Sequence, residues 1–463
     1  NWDPLKDGSR RFRGGTGIFT GRLPLVFFTN MPTNAGMVQN SVSYSAYDKN
    51  SNIDPEGVKV LEQFKGGMIT SVDEMVSKLG LPTQLTDEKH VAGAKISGVD
   101  KNFKMPQVWK SSLAVDWQVP VRFPFTVTGE FMYTKNINAV TLDNINVIAP
   151  SLWEGGEAAN RFAGPDNRLK YPEKSTYVKG KNAVMLTNTS KGHGYTANIT
   201  LNARPVDNLG LMLAYTHTES KEVSGMPGND PVSTWQGLIT VDGPNFGTVQ
   251  RSRYVIPDRL IASANWVIPF QYKGLTRNTN ISLFYTGYSA SGNSFCYTND
   301  MNGDGINNDL IYIPAVGENL NFVSAEDAKA WEVFMNQDKY LSSHRGQYAE
   351  AYAARAPWVH RFDLRLMEEF EFKIGKTKHA FQLSFDIMNI GNLLNSSWGV
   401  QKVSTQASNG CRVLQYKGVN EKGQPTYAMM KNSNGEYYSQ TYDYNPVNSQ
   451  CWQMQVGIKY LFK

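Results

Sequence analysis

The C-terminal segment QCWQMQVGIKYLFK (residues 450–463) alternates between two kinds of side chain along its length. The apolar positions are Trp452, Met454, Val456, Ile458, Tyr460 and Phe462. Gln453, Gln455 and Lys459 stand between them. A period of two is typical of a β-strand with one apolar face, and the segment is long enough for a tilted membrane-spanning strand of ~9–11 residues. We therefore predict a terminal strand whose apolar side chains face lipid.

The same alternation recurs upstream, for example in residues 195–203, 260–268 and 381–387. Polar and charged side chains occupy the positions between the apolar ones, which is the arrangement of a barrel with a polar interior. The predicted lumen-facing residues are Thr196, Asn198, Thr200, Asn202, Arg361, Asp363, Arg365, Gln382 and Asp386.

Short and long connections alternate between these segments. The short ones cover residues 3–10, 121–124, 205–209, 270–278 and 373–378, and the long ones cover 23–110, 146–181, 219–257, 289–357 and the stretch after 391. Short turns at one rim and long loops at the other are typical of an outer-membrane barrel. We predict roughly a dozen antiparallel strands, and the candidates between residue 391 and the terminal strand are residues 398–403, 411–416 and 426–430. A β-sandwich or propeller is the alternative.

Helices are predicted within the loops at residues 72–79 and 324–338, the second opening with an N-cap serine and an acidic first turn.

Composition excludes several classes of protein. Lys and Arg total 46 against 41 Asp and Glu, a net charge of +5 in 463 residues, which does not suggest a nucleic-acid partner. The sequence has no apolar run approaching the ~20 residues of a membrane-spanning helix. The histidines are scattered, and neither HExxH nor GxSxG occurs. We therefore expect that the protein is not an enzyme.

The segment DMNGDGINND (residues 300–309) resembles a calcium loop. Asp300, Asn302 and Asp304 supply oxygen atoms at positions 1, 3 and 5, and a glycine follows at position 6. Asn308 and Asp309 complete the candidate set for a structural Ca²⁺, the one cofactor the sequence suggests. Position 12 is an isoleucine rather than the usual glutamate. The alternative is a turn stabilised by side-chain-to-backbone hydrogen bonds.

The three cysteines are too few for a disulfide scaffold. All three fall near the long-loop rim in this strand assignment. An oxidising cell surface would permit a disulfide between Cys411 and Cys451, which are therefore a candidate pair. Free thiols are the alternative.

Seven segments together resemble one family. They are FRGGTGIFTGRLP (12–24), NDLIYIP (308–314), NQDKYL (336–341), RGQYAE (345–350), RAPWVHRFDLR (355–365), DIMNIGNLLN (386–395) and WQMQVGIKYLF (452–462). In combination they resemble the Oar-type TonB-dependent outer-membrane receptors of Bacteroidetes. The segments run from one end of the chain to the other, so the resemblance covers the whole sequence.

The resemblance implies a bacterial outer-membrane location and a barrel of 22 strands, of which residues 1–463 would hold about the last twelve. A plug and further N-terminal domains would lie outside this chain. Implied partners are membrane lipid, the plug and the remaining strands, TonB through the N-terminal part, and a surface lipoprotein or other protein. The implied function is uptake of a peptide, protein or oligosaccharide. The alternatives are a non-transporting surface barrel that acts as an adhesin or scaffold, and protein export through the same barrel.

Overall fold

The computed structural model describes residues 1–35, 44–47, 53–63, 71–81, 83, 95–272, 275–290, 292–406, 411–445 and 447–462. Its main element is a sheet of thirteen strands, in which a continuous path is formed by β1 (Arg10–Thr20), β2 (Gln107–Gln118), β3 (Phe125–Asn144), β4 (His193–Val206), β5 (Leu209–Glu222), β6 (Asp258–Tyr272), β7 (Leu275–Tyr288), β8 (Val359–Ile374), β9 (Thr377–Met388) and β10 (Gln453–Phe462). The remaining strands of the sheet are Lys95–Val99, Asn182–Thr189 and Gln250–Arg251.

Each strand of the path pairs antiparallel with its neighbour in the chain, so the topology is an up-and-down meander. This confirms the predicted portion of an antiparallel barrel. Within the described ranges no pairing joins β1 to β10, and these two strands are the edges of the sheet. The connections alternate as expected, with short ones at 119–124, 207–208 and 375–376, and long ones at 21–106, 145–192, 223–257, 289–358 and 389–452.

The three candidate strands between residue 391 and the terminal strand do not join the barrel sheet. Cys411–Val419 and Pro425–Met429 form a separate four-stranded sheet with Phe295–Tyr297 and Asn321–Phe322. In Cys411–Val419 the adjacent residues Val413 and Leu414 are both buried, so both faces of the strand are covered, and in Pro425–Met429 no residue is exposed. Such strands belong to a core rather than to a wall between lipid and water, so the path has ten strands instead of about twelve.

The helices all lie in the long connections. They are α1 (Val26–Thr29), α2 (Pro55–Glu62), α3 (Val72–Leu79), α4 (Gly156–Ala159), α5 (Pro231–Gln236), α6 (Ala325–Gln337), α7 (Lys339–Ser343) and α8 (Ile390–Leu394). Both predicted helices are confirmed as α3 and α6, and the side chain of Ser324 caps α6 by accepting from the Asp327 amide at 3.1 Å. Among the helices described, none combines the length and hydrophobicity required to cross a bilayer.

Four of the long connections fold together around one hydrophobic core, and we call this unit the loop domain (residues 145–192, 223–257, 289–358 and 389–452). Each connection contributes to the core, represented by Phe162, Ile239, Trp331 and Val413. Short strand pairs stiffen the same region, namely Gly292–Asn293 with Ala354–Arg355, Tyr312–Ile313 with Gln347–Tyr348, and Lys402–Ser404 with Tyr442–Tyr444. The long-loop rim is therefore a packed domain and not a set of independent loops.

Candidate functional site

The strand register divides the barrel sheet into a polar face and an apolar face. Directly paired residues point to the same side of a sheet. Asn198 stands opposite Glu130 and Thr216, Arg365 stands opposite Ser282 and Asp386, and Gln382 stands opposite Glu369 and Lys459. All the residues predicted to face the lumen fall on this polar face: Thr196, Asn198, Thr200, Asn202, Arg361, Asp363, Arg365, Gln382 and Asp386.

The apolar face carries the other half of each alternating segment. One row runs straight across five strands, as Leu201, Leu213, Ala262, Tyr285 and Phe362. The apolar residues of β10 belong to the same face and are strongly exposed, Ile458 at 78% and Phe462 at 71%. Trp452, also exposed, comes just before this strand. An apolar surface of this extent suits contact with membrane lipid.

Charges on the polar face are paired with one another. Arg365 Nε lies 3.4 Å from Asp386 Oδ1, and Arg361 Nε donates to Asp363 Oδ1 at 3.1 Å. Gln382 donates to Glu369. The face is therefore a network of polar groups that remain partly exposed, as a hydrated wall requires.

Asp363 also ties the polar face to the loop domain. Its Oδ1 accepts a hydrogen bond from the main-chain N–H of Asn389 at 2.7 Å. Asn389 has a left-handed backbone, with φ 52°, which asparagine tolerates better than most residues. Its side-chain amide donates to Gln450 O at 2.7 Å, so the start and end of the last long connection are held together.

A buried ion pair lies at the centre of the loop domain. Arg168 Nε donates to Asp166 Oδ1 at 2.8 Å, and both side chains are at most 1% exposed. Asp166 Oδ2 accepts further bonds from the hydroxyls of Tyr297 at 2.9 Å and Tyr427 at 3.0 Å. Burial raises the pKa of both tyrosines well above the ordinary value, which keeps them protonated as donors. The guanidinium lies 4.9 Å from the ring centre of Tyr297 and 5.2 Å from that of Tyr348.

The acidic turn at residues 300–309 packs against this centre. The two carboxylate oxygens of Asp300 accept from the amides of Gly303 at 2.7 Å and Gly305 at 2.8 Å. Asn302 and Asp304 accept from amides two residues ahead. Asn308 is directed elsewhere, to Gln236 O and Arg412. These side-chain-to-backbone hydrogen bonds are the ones expected of a stabilised turn, which was the alternative to a calcium loop.

The carboxylates of this turn are nevertheless crowded. Burial raises the pKa of Asp309 to about 7. Burial and the charges of Asp309 and Asp300 raise the pKa of Asp304 well above the ordinary value. In the described part of the chain, no group of three or more His, Cys, Asp or Glu side chains is arranged to hold a metal ion. A Ca²⁺ in this turn would also need amide and main-chain oxygens, and it stays a prediction.

A cavity of about 500 Å³ opens beside α6 in the loop domain. Its apolar wall includes Leu320, Phe322, Trp331 and Met335, and its polar wall includes Glu332, Asn336 and Arg345. Arg345 is held by Glu332 at 2.9 Å and by Asn336 at 2.8 Å. The indole N–H of Trp331 is buried and has no partner among the described residues. A cavity that combines an apolar wall with a few fixed polar groups is typical of a ligand site.

The three cysteines are free thiols in the structure. Cys411 is buried in the loop-domain core, where its sulfur lies 3.3 Å from the Ser404 hydroxyl. Cys451 is partly exposed just before β10 and contacts Val447 O. The candidate Cys411–Cys451 disulfide is therefore not formed in this structure, because one thiol belongs to the core and the other to the rim.

Sequence reasoning missed the buried ion pair and the cavity. Asp166 and Arg168 lie in a connection without periodicity, and nothing in the sequence distinguishes them from surface charges. Trp331 gave a weak signal as a large aromatic residue within a predicted helix.

The family comparison agrees with the two-faced sheet. The sequence model of a family described as "Outer membrane beta barrel domain" matches residues 1–415. Among solved structures, the outer membrane transporter YddB from Escherichia coli matches with 9% identity and a TM-score of 0.31, covering 81% of this chain and 35% of the transporter. The chain thus spans about a third of the length of that protein. No curated protein matches the sequence.

Proposed function

Since this chain belongs to the outer membrane beta barrel domain family, and so to the bacterial outer membrane, we propose that it is the C-terminal part of a TonB-dependent transporter that takes up a peptide, protein or oligosaccharide. The proposal rests on the hydrogen bond that the main-chain N–H of Asn389 in the loop domain donates to Asp363 on the polar wall. A folded loop domain fixed to a polar wall can bind a large ligand outside and pass it along the lumen.

The open sheet fits a larger assembly. Lipid does not tolerate unpaired backbone groups at a sheet edge. We propose that further strands pair with β1 and β10, and that a plug fills the space against the polar face. TonB would act through the plug, and a surface lipoprotein could cover the loop domain. These partners are proposals drawn from the resemblance.

The cavity beside α6 is the proposed place of first contact with the ligand. Its apolar wall and its fixed Arg345, Glu332 and Asn336 suit an amphipathic segment with carbonyl or hydroxyl groups. We propose binding without chemical conversion.

A second candidate function, a surface adhesin or scaffold, is favoured by exposed apolar side chains in the loop domain, among them Val316 at 86% and Leu152 at 69% exposure.

An uptake assay with whole cells distinguishes a transporter from a surface adhesin or scaffold. Cells producing the complete protein would receive fluorescent tryptic peptides or oligosaccharides, with and without an uncoupler of the proton gradient. Transport predicts binding in both conditions but internal label only with the gradient intact. Arg345→Gln should reduce both signals, whereas Arg161→Gln, a surface residue outside the cavity, should leave them unchanged. Binding without internal label in either condition would favour the adhesin or scaffold.

A further inference from the structure

A row of basic side chains crosses the top of the apolar face. Lys135 of β3 is paired with His193 of β4, His193 with Lys221 of β5, and Lys221 with Arg251. Trp109 is paired with Lys135 and extends the row on its other side. We call Lys135, His193, Lys221 and Arg251 the basic row.

The basic row lies at the upper limit of the apolar band. Two residues closer to the short-turn rim, Tyr133 is paired with Tyr195, and Tyr195 with Glu219. Below these tyrosines the same face carries Ala197, Ile199 and Leu201 on β4, and on β5 the His217–Asp258 pair and Tyr215 come before Leu213. Tyrosines at the edge of an apolar band mark the level of the lipid headgroups. The basic side chains next to them therefore stand at headgroup height on the outside of the wall.

The charges of the row are only partly balanced. Lys221 Nζ lies 3.7 Å from Glu219, and Arg251 Nε lies 3.1 Å from Glu350. None of the ion pairs found among the described residues includes Lys135. The ammonium group of Lys191, two residues before His193 in the chain, donates to the main-chain oxygen of Gly247 at 3.1 Å. An excess of positive charge remains.

Lys221 and Arg251 stand directly opposite one another, and like charges so placed on adjacent strands repel because their Cβ atoms are ~4.5–5.5 Å apart. The repulsion is relieved when an anion lies between them. We propose that the basic row binds the phosphate groups of an outer-leaflet lipid, with the acyl chains of that lipid against the apolar band. Lysine and arginine are the usual ligands of phosphate. The proposal depends on the outer-membrane location and not on transport.

Lipid binding by the purified protein tests this inference. The complete protein in neutral detergent would be titrated with diphosphorylated lipid A, and bound lipid counted by native mass spectrometry. The double variant Lys135→Gln/Lys221→Gln should weaken binding about tenfold to thirtyfold. Lys135→Arg/Lys221→Arg should retain it. The matched control is Lys110→Gln, because Lys110 is paired with Thr134 on the polar face at nearly the same height.

Two further measurements identify the source of the anion. Dephosphorylated lipid A should bind the wild-type protein and the double variant equally, and inorganic phosphate should not displace the lipid. Equal affinity of wild type and double variant for lipid A, with both shown to be folded by heat-modifiable gel migration, would overturn the proposal. Displacement by inorganic phosphate at low concentration would also overturn it, because the row would then be a free-anion site.

Discussion

Asp166 and Arg168, only two residues apart in one loop, form an ion pair at the centre of the loop domain with both side chains at most 1% exposed. Each partner also contacts aromatic residues from other connections, since Tyr297 and Tyr427 donate to Asp166. One short segment therefore links three of the long connections through a single carboxylate.

Removing the cation from this pair should loosen the loop domain. Arg168→Met leaves Asp166 charged and buried, and the loss of one partner of a buried pair costs about 3–5 kcal/mol. Hydrogen exchange of Cys411–Val419 measures the effect. The control is Arg161→Met, whose partner Glu157 is half exposed, and it should cost about 0–1 kcal/mol. Equal protection of both variants would show that the central pair does not hold the connections together.

The two faces of β10 should respond differently to a new charge. Val456 lies on the apolar face and Gln455 on the polar face, paired with Asp386. Val456→Arg should cost ~2–4 kcal/mol if the residue faces lipid near the midplane. Gln455→Arg should cost much less. Membrane assembly of each variant, followed by heat-modifiable gel migration, gives the comparison, and equal assembly would contradict the assignment of the faces.

The alternation of single residues was enough to predict the sheet. The predicted polar and apolar positions of β4, β8, β9 and β10 lie on opposite faces of the sheet, because a strand in a wall between two environments must alternate. The same rule failed in Cys411–Val419, because a strand with buried side chains on both faces has no environment to alternate between.

The loop domain was beyond prediction from the sequence for a different reason. Its core joins residues far apart in the chain, such as Phe162 and Val413. Helix α6 could be found from its local cap and acidic first turn. The partners of Asp166 are up to 261 residues away in sequence, and no local pattern marks a contact of that kind.

The loop domain should lose stability as pH rises in the presence of a chelator. The pKa of Asp309 is about 7 in the folded protein against an ordinary 3.8, so the folded state binds the proton more tightly than the unfolded state. The contribution of Asp309 to the free energy of unfolding is then greatest at low pH, and it declines between about pH 4 and pH 7. Each pKa unit corresponds to about 1.4 kcal/mol, taken as an upper limit. Asp309→Asn should flatten the dependence of the unfolding temperature on pH. An unchanged slope would show that Asp309 is ionised in the folded loop.

Calcium should stabilise the same turn if its crowded carboxylates are a cation site. Asp300, Asp304 and Asp309 repel one another when ionised. A hard cation bound by their oxygen atoms would replace that repulsion with attraction to the cation. Free Ca²⁺ at a hundredfold excess over its dissociation constant would add about 2.7 kcal/mol to the free energy of unfolding. We expect Ca²⁺ to raise the unfolding temperature of chelator-treated protein at pH 8, and Mg²⁺ to do so less. Asp304→Asn keeps the acceptor for the Ile306 amide but should remove the response. The same unfolding temperature with Ca²⁺ and with chelator would mean that side-chain-to-backbone bonds alone hold the turn.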